Sequence, residues 1–454
     1  MKKNSYFSLV AILFLGLITQ AQSKKWTLEE CVKYALENNI SIKQSELDTQ
    51  TATIDKKSAF GNLLPSINAS TSHSWNIGLN QDITTGLLRN QTTQFTSTGM
   101  NVGIDIYKGL QNQNNLRRAN LALVASKYQL LKMQEDIALN VANAFLQVLF
   151  NKENLKVQLE QLAINEKQLA RSSELVSVGV VPRGDLLDIK ASVAQTRQNV
   201  VAAENTLLIS KLSLSQLLQL KDFENFDVVD VMDINNNATI LAQSPSAIID
   251  KAKESRTELK IAQTNLEIAQ KNLAIAKGAF QPSLQGFYGF NSRISYADVA
   301  VISGGVISTK PANPFWTQFS DNKGQSFGAQ LSIPIFNGLA TKNNVERSKV
   351  NLQKATIALE QQNLNLERTI YTAFTDAKGA LKANESAISS FEARQEAYNY
   401  AKEKFAVGLM NSFDYNQAQT LLVNAQSEVL RTKYDSIFKI KILEFYFGIP
   451  IIKN

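Results

Sequence analysis

The chain of 454 residues holds 47 Lys and Arg against 40 Asp and Glu, a formal charge of +7 that is small for its length and gives no reason to expect a nucleic-acid partner. Its one cysteine, Cys31, rules out an intrachain disulfide, and its one histidine, His73, has no acids clustered near it at ligand spacing. Neither a metal site nor a nucleophile–base pair can be assembled, so no enzyme, cofactor or metal is expected.

In chain order, residues 1–21 read as a secretory signal: Lys2-Lys3, an apolar run from Leu9 to Ile18, then Thr19-Gln20-Ala21 as a small-residue cleavage site. No later stretch has 18 consecutive apolar residues, so any membrane crossing must be made by strands. A helix is predicted from about Thr27 to Asn62, opening on Thr27 and Glu30 at capping-box spacing, with Cys31 as a small buried residue. Strands follow at about 64–80 and 95–107. In the first, Ile67, Ala69, Thr71, His73, Trp75, Ile77 and Leu79 share one face, with Ser and Asn on the other. His73, beside Trp75, reads as an interface-girdle side chain. A long helix runs from Gly109 to about Val178 without proline or internal glycine; at 1.5 Å per residue it reaches ~105 Å, deeper than any globular core. Leu116, Leu123, Leu130, Ile137 and Ala144 recur every seven residues along it, a bundle or coiled-coil stripe. A tight turn at Gly179 leads into a helix from about Asp185 to Leu220.

The second half repeats this order. Ala144-Phe145 recurs as Ala373-Phe374, Gly109 as Gly338, Gly179 as Gly408 and Asp185 as Asp414, all 229 residues apart (373−144, 338−109, 408−179, 414−185). An earlier stretch repeats at 217 (252−35 and 282−65), so a 12-residue excess (229−217) lies in the second strand pair. The predicted organisation is a first structural repeat over 22–220, a linker over 221–245, a second repeat over 246–447 with strands at about 282–291 and 326–337, and a terminal segment over 448–454. The loop over 291–325, with Tyr296, Phe315, Trp316 and Phe319, carries the excess and is expected outside the cell.

About ten residues, apolar on one face and Ser, Asn, Gln or Gly on the other, is the pattern of an outer-membrane barrel strand. Four strands cannot close a barrel with a lumen, and open edges do not survive in lipid. Three chains pooling their strands would give a 12-stranded barrel. The expected fold is therefore mainly α with β, from a duplicated helix-and-strand protomer.

Several segments resemble the outer membrane efflux protein (TolC) family: Trp26-Thr27-Leu28-Glu29-Glu30 with Ala35-Leu36-Glu37-Asn38-Asn39, Leu63-Leu64-Pro65, Phe280-Gln281-Pro282, Ile333-Pro334-Ile335-Phe336-Asn337-Gly338, and Val407-Gly408 with Asp414. Their order and duplication cover essentially residues 26–450. The resemblance implies a homotrimer: a 12-stranded barrel in outer-membrane lipid on a long periplasmic α-helical tunnel. A mixed α/β belt would be supplied by Phe226 to Thr239 and the segment after Phe447. It implies partners too, a periplasmic adaptor (membrane fusion protein) and an inner-membrane pump, and a place in the outer membrane of a Gram-negative bacterium. The implied function is a passive exit duct for efflux; the same family serves type I protein secretion, and a periplasmic helical adaptor or structural rod is the alternative from another class.

Gly179 and Gly408 read as helix C-caps; by resemblance they are also the turns that touch the adaptor, with Val180 and Leu409 beside them. Asp185 and Asp414 read as N-caps of the next helices, or, for Asp414, as a carboxylate ring at the tunnel aperture, selective for cations. Gln417 stands where the family has a second aspartate, and Met410 where it has a basic residue whose carboxylate partner matches Asp185. Met410 and Gln417 against Val181 and Asp188 is the difference between the copies expected to bear on gating.

Overall fold

A computed structural model describes residues 25–81, 88–221, 223, 225–229, 238–303 and 306–450. The expected signal over 1–21 lies outside the described residues, as do 230–237 of the linker and 451–454 of the terminal segment. The described chain runs β1 (Lys25–Trp26), α1 (Leu28–Asn38), α2 (Ile40–Gly61), β2 (Ser66–Gln81), β3 (Leu88–Lys108), α3 (Gln111–Ser177), α4 (Arg183–Leu218) and β4 (Asp227–Val228). A 3-10 turn (Ala238–Ala242) then leads to α5 (Pro245–Ser255), α6 (Thr257–Gly278), β5 (Ser283–Ser295), β6 (Val299–Ser303), β7 (Val306–Lys310), α7 (Phe315–Asp321), β8 (Gly324–Ser332), α8 (Ala340–Ala406) and α9 (Ser412–Phe447). Helices of the two halves match in length: 11 residues in α1 and α5, 22 in α2 and α6, 67 in α3 and α8, 36 in α4 and α9. Among the described residues no helix is long and apolar enough to cross a membrane.

The chain divides into two compact units: Met1–Leu47 with Tyr128–Lys260 and Glu360–Asn454, and Asp48–Lys127 with Ile261–Leu359.

The first unit is helical. Thr27 caps α1 through the box expected from its spacing, its hydroxyl accepting from the Glu30 N–H while the Glu30 carboxylate accepts from the Thr27 N–H. The single helix expected over Thr27–Asn62 is instead two. Asn39 takes an extended conformation; its side-chain oxygen accepts from the Ser41 N–H and its amide donates to the Leu217 carbonyl at the end of α4. The second copy breaks likewise at Arg256, which takes an extended conformation between α5 and α6. At the first break the Asn39 side chain satisfies the Ser41 N–H that the turn frees; at the second the Arg256 side chain holds the carboxylates of Glu258 and Glu135. Cys31 is fully buried beside Val141, Phe145 and Leu149 of α3 and Leu214 and Leu218 of α4. A second core gathers Ile248, Ile370, Ala373, Ala377 and Leu443. β1 pairs in parallel with β4, and Asp227 there holds Lys152 and Lys211, each at 2.9 Å. Burial raises the Asp227 pKa, but the two lysines more than offset it and hold the carboxyl below its ordinary value.

The second unit carries an antiparallel sheet in the order β2-β3-β5-β8. Its register puts Ile67, Val102, Tyr288 and Phe327 in one row on one face and Ser66, Gly103, Phe287 and Gly328 in a row on the other. Leu88 rather than residue 95 starts β3, whose Thr-rich run pairs fully with β2. β8 stops at Ser332, short of the expected 337, because Pro334 has no N–H to give a ladder. Ile335 beyond it is 94 % exposed. Within the 291–325 loop, β5 extends to Ser295, β6 and β7 form a hairpin, and α7 lies on β5, its Phe319 ring 5.9 Å from Phe290 and its carbonyl accepting from the Ser292 hydroxyl. His73 stays on the apolar face, edge-on to Trp75 and hydrogen-bonded to Thr96.

Where β3 turns into α3, Gly109 (φ +56°) meets the end of α6. A Cβ on Gly109 would stand 2.1 Å from the Gly278 carbonyl oxygen, and one on Gly278 2.3 Å from that of Gly109, so only glycine fits at either place.

Candidate gating tips

Both helix-to-helix turns lie in the first unit and share one backbone design. α3 ends with Gly179 (φ +78°), whose N–H donates to the Val176 carbonyl while Val180 N–H donates to that of Leu175. α8 ends with Gly408 (φ +78°), its N–H on Phe405 and that of Leu409 on Lys404. This is the Schellman closure, and it needs the left-handed residue that glycine supplies. Val180 is 69 % exposed and Leu409 78 %.

The restarts differ. Neither aspartate is the N-cap expected of it. Asn411 caps α9, its Oδ1 accepting from the Asp414 N–H at 2.8 Å, and its amide donates to the Asp414 carboxylate at 3.0 Å. Pro182 occupies the matching place before α4 and has no side chain able to cap. Each aspartate therefore sits three residues into its helix, in the first turn, where the helix dipole favours a carboxylate. Asp414 and Gln417 are exposed, whereas Asp185 and Met410 are half-buried.

The contact joining the two turns is one that the sequence reading missed. Ser412, 2 % exposed, directs its hydroxyl at Asp185 Oδ1 (3.1 Å) and Asp188 Oδ2 (3.3 Å). One hydroxyl proton serves one carboxylate at a time, so Ser412 holds both acids, three residues apart on one face of α4, by sharing. Behind it Tyr415 stacks on Phe405 at 4.6 Å and meets the Tyr398 hydroxyl at 2.9 Å, with Met410 packed against the cluster. Burial, then the bond to Tyr398, pushes the Tyr415 pKa well above its ordinary value and keeps the phenol neutral. One turn on, Gln419 is buried with no acceptor for its Nε2 among the described residues. A groove of about 660 Å³ runs between the turns, lined by Leu175, Val180, Val181, Phe405, Leu409 and Met410. Asn411-Ser412 is the capping signature that could have pointed to this restart; nothing local in the sequence marks Ser412 as facing Asp185.

The arrangement offers acids, a shared hydroxyl and exposed apolar turns, the parts of a mechanical contact. Among the described residues no three His, Cys, Asp or Glu gather as a metal set.

The family model described as "Outer membrane efflux protein" matches residues 31–219 and 248–437, one match in each half. The chain belongs to the outer membrane efflux protein family. The outer membrane protein TolC of Vibrio cholerae is 24 % identical over 417 residues, 91 % of this chain and 88 % of that one. The TolC protein of Escherichia coli is 20 % identical over 432 residues, 94 % of this chain and 83 % of that one. The Campylobacter jejuni CmeC outer membrane channel superposes with a TM-score of 0.78 at 20 % identity, covering 93 % of this chain and 85 % of that one. The family is one of outer-membrane channels, which excludes the adaptor and rod alternatives, and the outer membrane is the chain's location. Long helices with a four-stranded antiparallel sheet are the TolC-like fold.

Proposed function

We propose that three copies of this chain form a duct through the outer membrane that passes small molecules outward from a tripartite efflux system. The observation that carries the reading is the sheet. One face carries Ile67, Val102, Tyr288 and Phe327 and the other is mainly Ser, Asn, Gln and Gly, the alternation that a barrel wall between lipid and water requires. Among the described residues no strand pairs with the outer edge of β2 or of β8. Unpaired backbone in lipid costs several kcal/mol per group, so those edges must be covered, and copies of the chain supply matching strands. Residues 22–220 and 246–447 are then two structural repeats, joined by 221–245 and followed by 448–454, whose long helices line a periplasmic tunnel.

The turns at Gly179 and Gly408 are the surface offered to a periplasmic adaptor, itself bound to an inner-membrane pump. Val180 and Leu409 are exposed apolar side chains that such a partner would cover. Asp414, Gln417, Met410 and Asp185 lie at the aperture, where three copies of the exposed Asp414 would make a ring attractive to cations. Flow is passive, and the energy comes from the pump. Native mass of detergent-extracted protein tests the assembly: trimers from the outer-membrane fraction are expected, and monomers recovered without detergent would overturn it.

A further inference from the structure

The two sequence offsets fix how one copy meets the next. In β2–β3, Ser66 stands opposite Gly103 and Ser74 opposite Phe95. Adding 217 to the β2 number and 229 to the β3 number gives Ser283 opposite Ser332 and Asn291 opposite Gly324, which are the observed ends of the β5–β8 ladder. The duplication thus carries strand register as well as length. One ladder inside the chain, β3–β5, has no image inside it. Its image would join β8 to a β2 that the chain itself does not place there.

We propose that the β3–β5 ladder is repeated between subunits, so that β8 pairs with β2 of the next copy in a single defined register. This rests on the trimeric reading above. Gly103 opposite Phe287 becomes Ser332 (103+229) opposite Ser70 of the partner subunit (287−217), and Asn101 opposite Gly289 becomes Gln330 opposite Ser72 of the partner subunit. Even numbers meet even numbers, so polar face continues polar face; a slip of one residue would set polar against apolar.

Three further features agree. The β3 register shift between Asp105 and Tyr107 maps onto Pro334 and Phe336, and a bulge is where a sheet accepts proline. The Tyr107 hydroxyl donates to Gln281 Oε1; the image is Phe336 against Leu64 of the partner subunit, 79 % and 52 % exposed in the single chain and both apolar. Gly109 against Gly278 becomes Gly338 against Gly61 of the partner subunit. Both glycines have open space around them within the chain, where their images are in contact.

Two experiments test the register. In a Cys31→Ala background, the pair Ser332→Cys and Ser70→Cys is expected to give covalent trimers on oxidation. The pair Ser332→Cys and Ser66→Cys, displaced by four residues or ~13 Å, is expected to give none. The opposite pattern overturns the register while leaving a trimer standing. No cross-link at either pair, with monomers only in detergent, overturns the trimeric reading as well. Gly61→Ala meets nothing within 4 Å in the single chain. It is expected to fold with unchanged helix content yet lose trimer, and a full yield of trimer from it would overturn the glycine contact.

Discussion

The turns at Gly179 and Gly408 are built on the same backbone and finished with different side chains. Both glycines sit at φ +78° and both turns close with the same two hydrogen bonds. Past the turn, Pro182-Arg183 in one copy faces Asn411-Ser412 in the other, 229 residues on. The second copy has a cap and a buried hydroxyl, and the first has the two carboxylates that hydroxyl meets. A duplicated fold can keep its geometry and still become a donor–acceptor pair, with the backbone doing the shared work and the side chains the directional work.

The comparison can be broken in order of expected effect. Ser412→Ala leaves Asp185 and Asp188 without their shared donor and should cost about 2 kcal/mol, the usual worth of a hydrogen bond to a charged group. Hydrogen exchange at residues 408–415 should rise accordingly, and Arg183→Ala, at the matching position, should leave it unchanged. Gly179→Ala and Gly408→Ala each force a β-carbon into the left-handed region at a cost of roughly 1–2 kcal/mol. Neither glycine has a neighbour within 4 Å, so equal losses in urea midpoint are expected, and unequal ones would show that the two backbones are not equivalent. Asn411→Ala should cost about 1 kcal/mol as a lost cap, while Pro182→Ala removes none.

The helix breaks make a second, smaller contrast. Asn39 is neutral, whereas Arg256 holds Glu258 through two nitrogens (3.1 and 2.9 Å) and Glu135 through one (3.2 Å). Burial raises both carboxyl pKa values. At Glu258 the doubled bond to Arg256 outweighs burial and lowers the net value; at Glu135 burial prevails and the value stays raised. Glu135 therefore gives up stability as pH rises through its raised value, and recovers it on acidification. Glu258 contributes above its unfolded value and loses that contribution as pH falls through its lowered one. Arg256 itself lowers the pKa of both carboxyls, so the urea midpoint lost in Arg256→Leu relative to the parent should grow as pH rises through the carboxylate range, and that lost in Asn39→Ala should not change with pH.

Much of this was written in the sequence. Offsets of 229 and 217 anticipated paired helices of equal length, and period-two alternation anticipated which strand residues share a face. What escaped the reading was set by contacts distant in sequence. Asn39 breaks a helix because the end of α4 offers its carbonyl. Ser412 finds Asp185 across 227 positions. Asp414 looked like a cap because aspartate caps helices well, but Asn411, three residues earlier, took the role. The strand expected to 337 ends at Ser332 because the apolar run Ile333, Ile335 and Phe336 outweighed Pro334 in the reading.

The central claim, a trimeric duct with its aperture at these turns, is tested most directly by single-channel conductance in planar bilayers. The parent protein should insert as a channel that prefers cations. Ser412→Ala should raise the conductance, and Asp414→Ala should weaken cation preference and block by multivalent cations. Protein that inserts no channel, or a channel that none of these substitutions alters, would contradict the account.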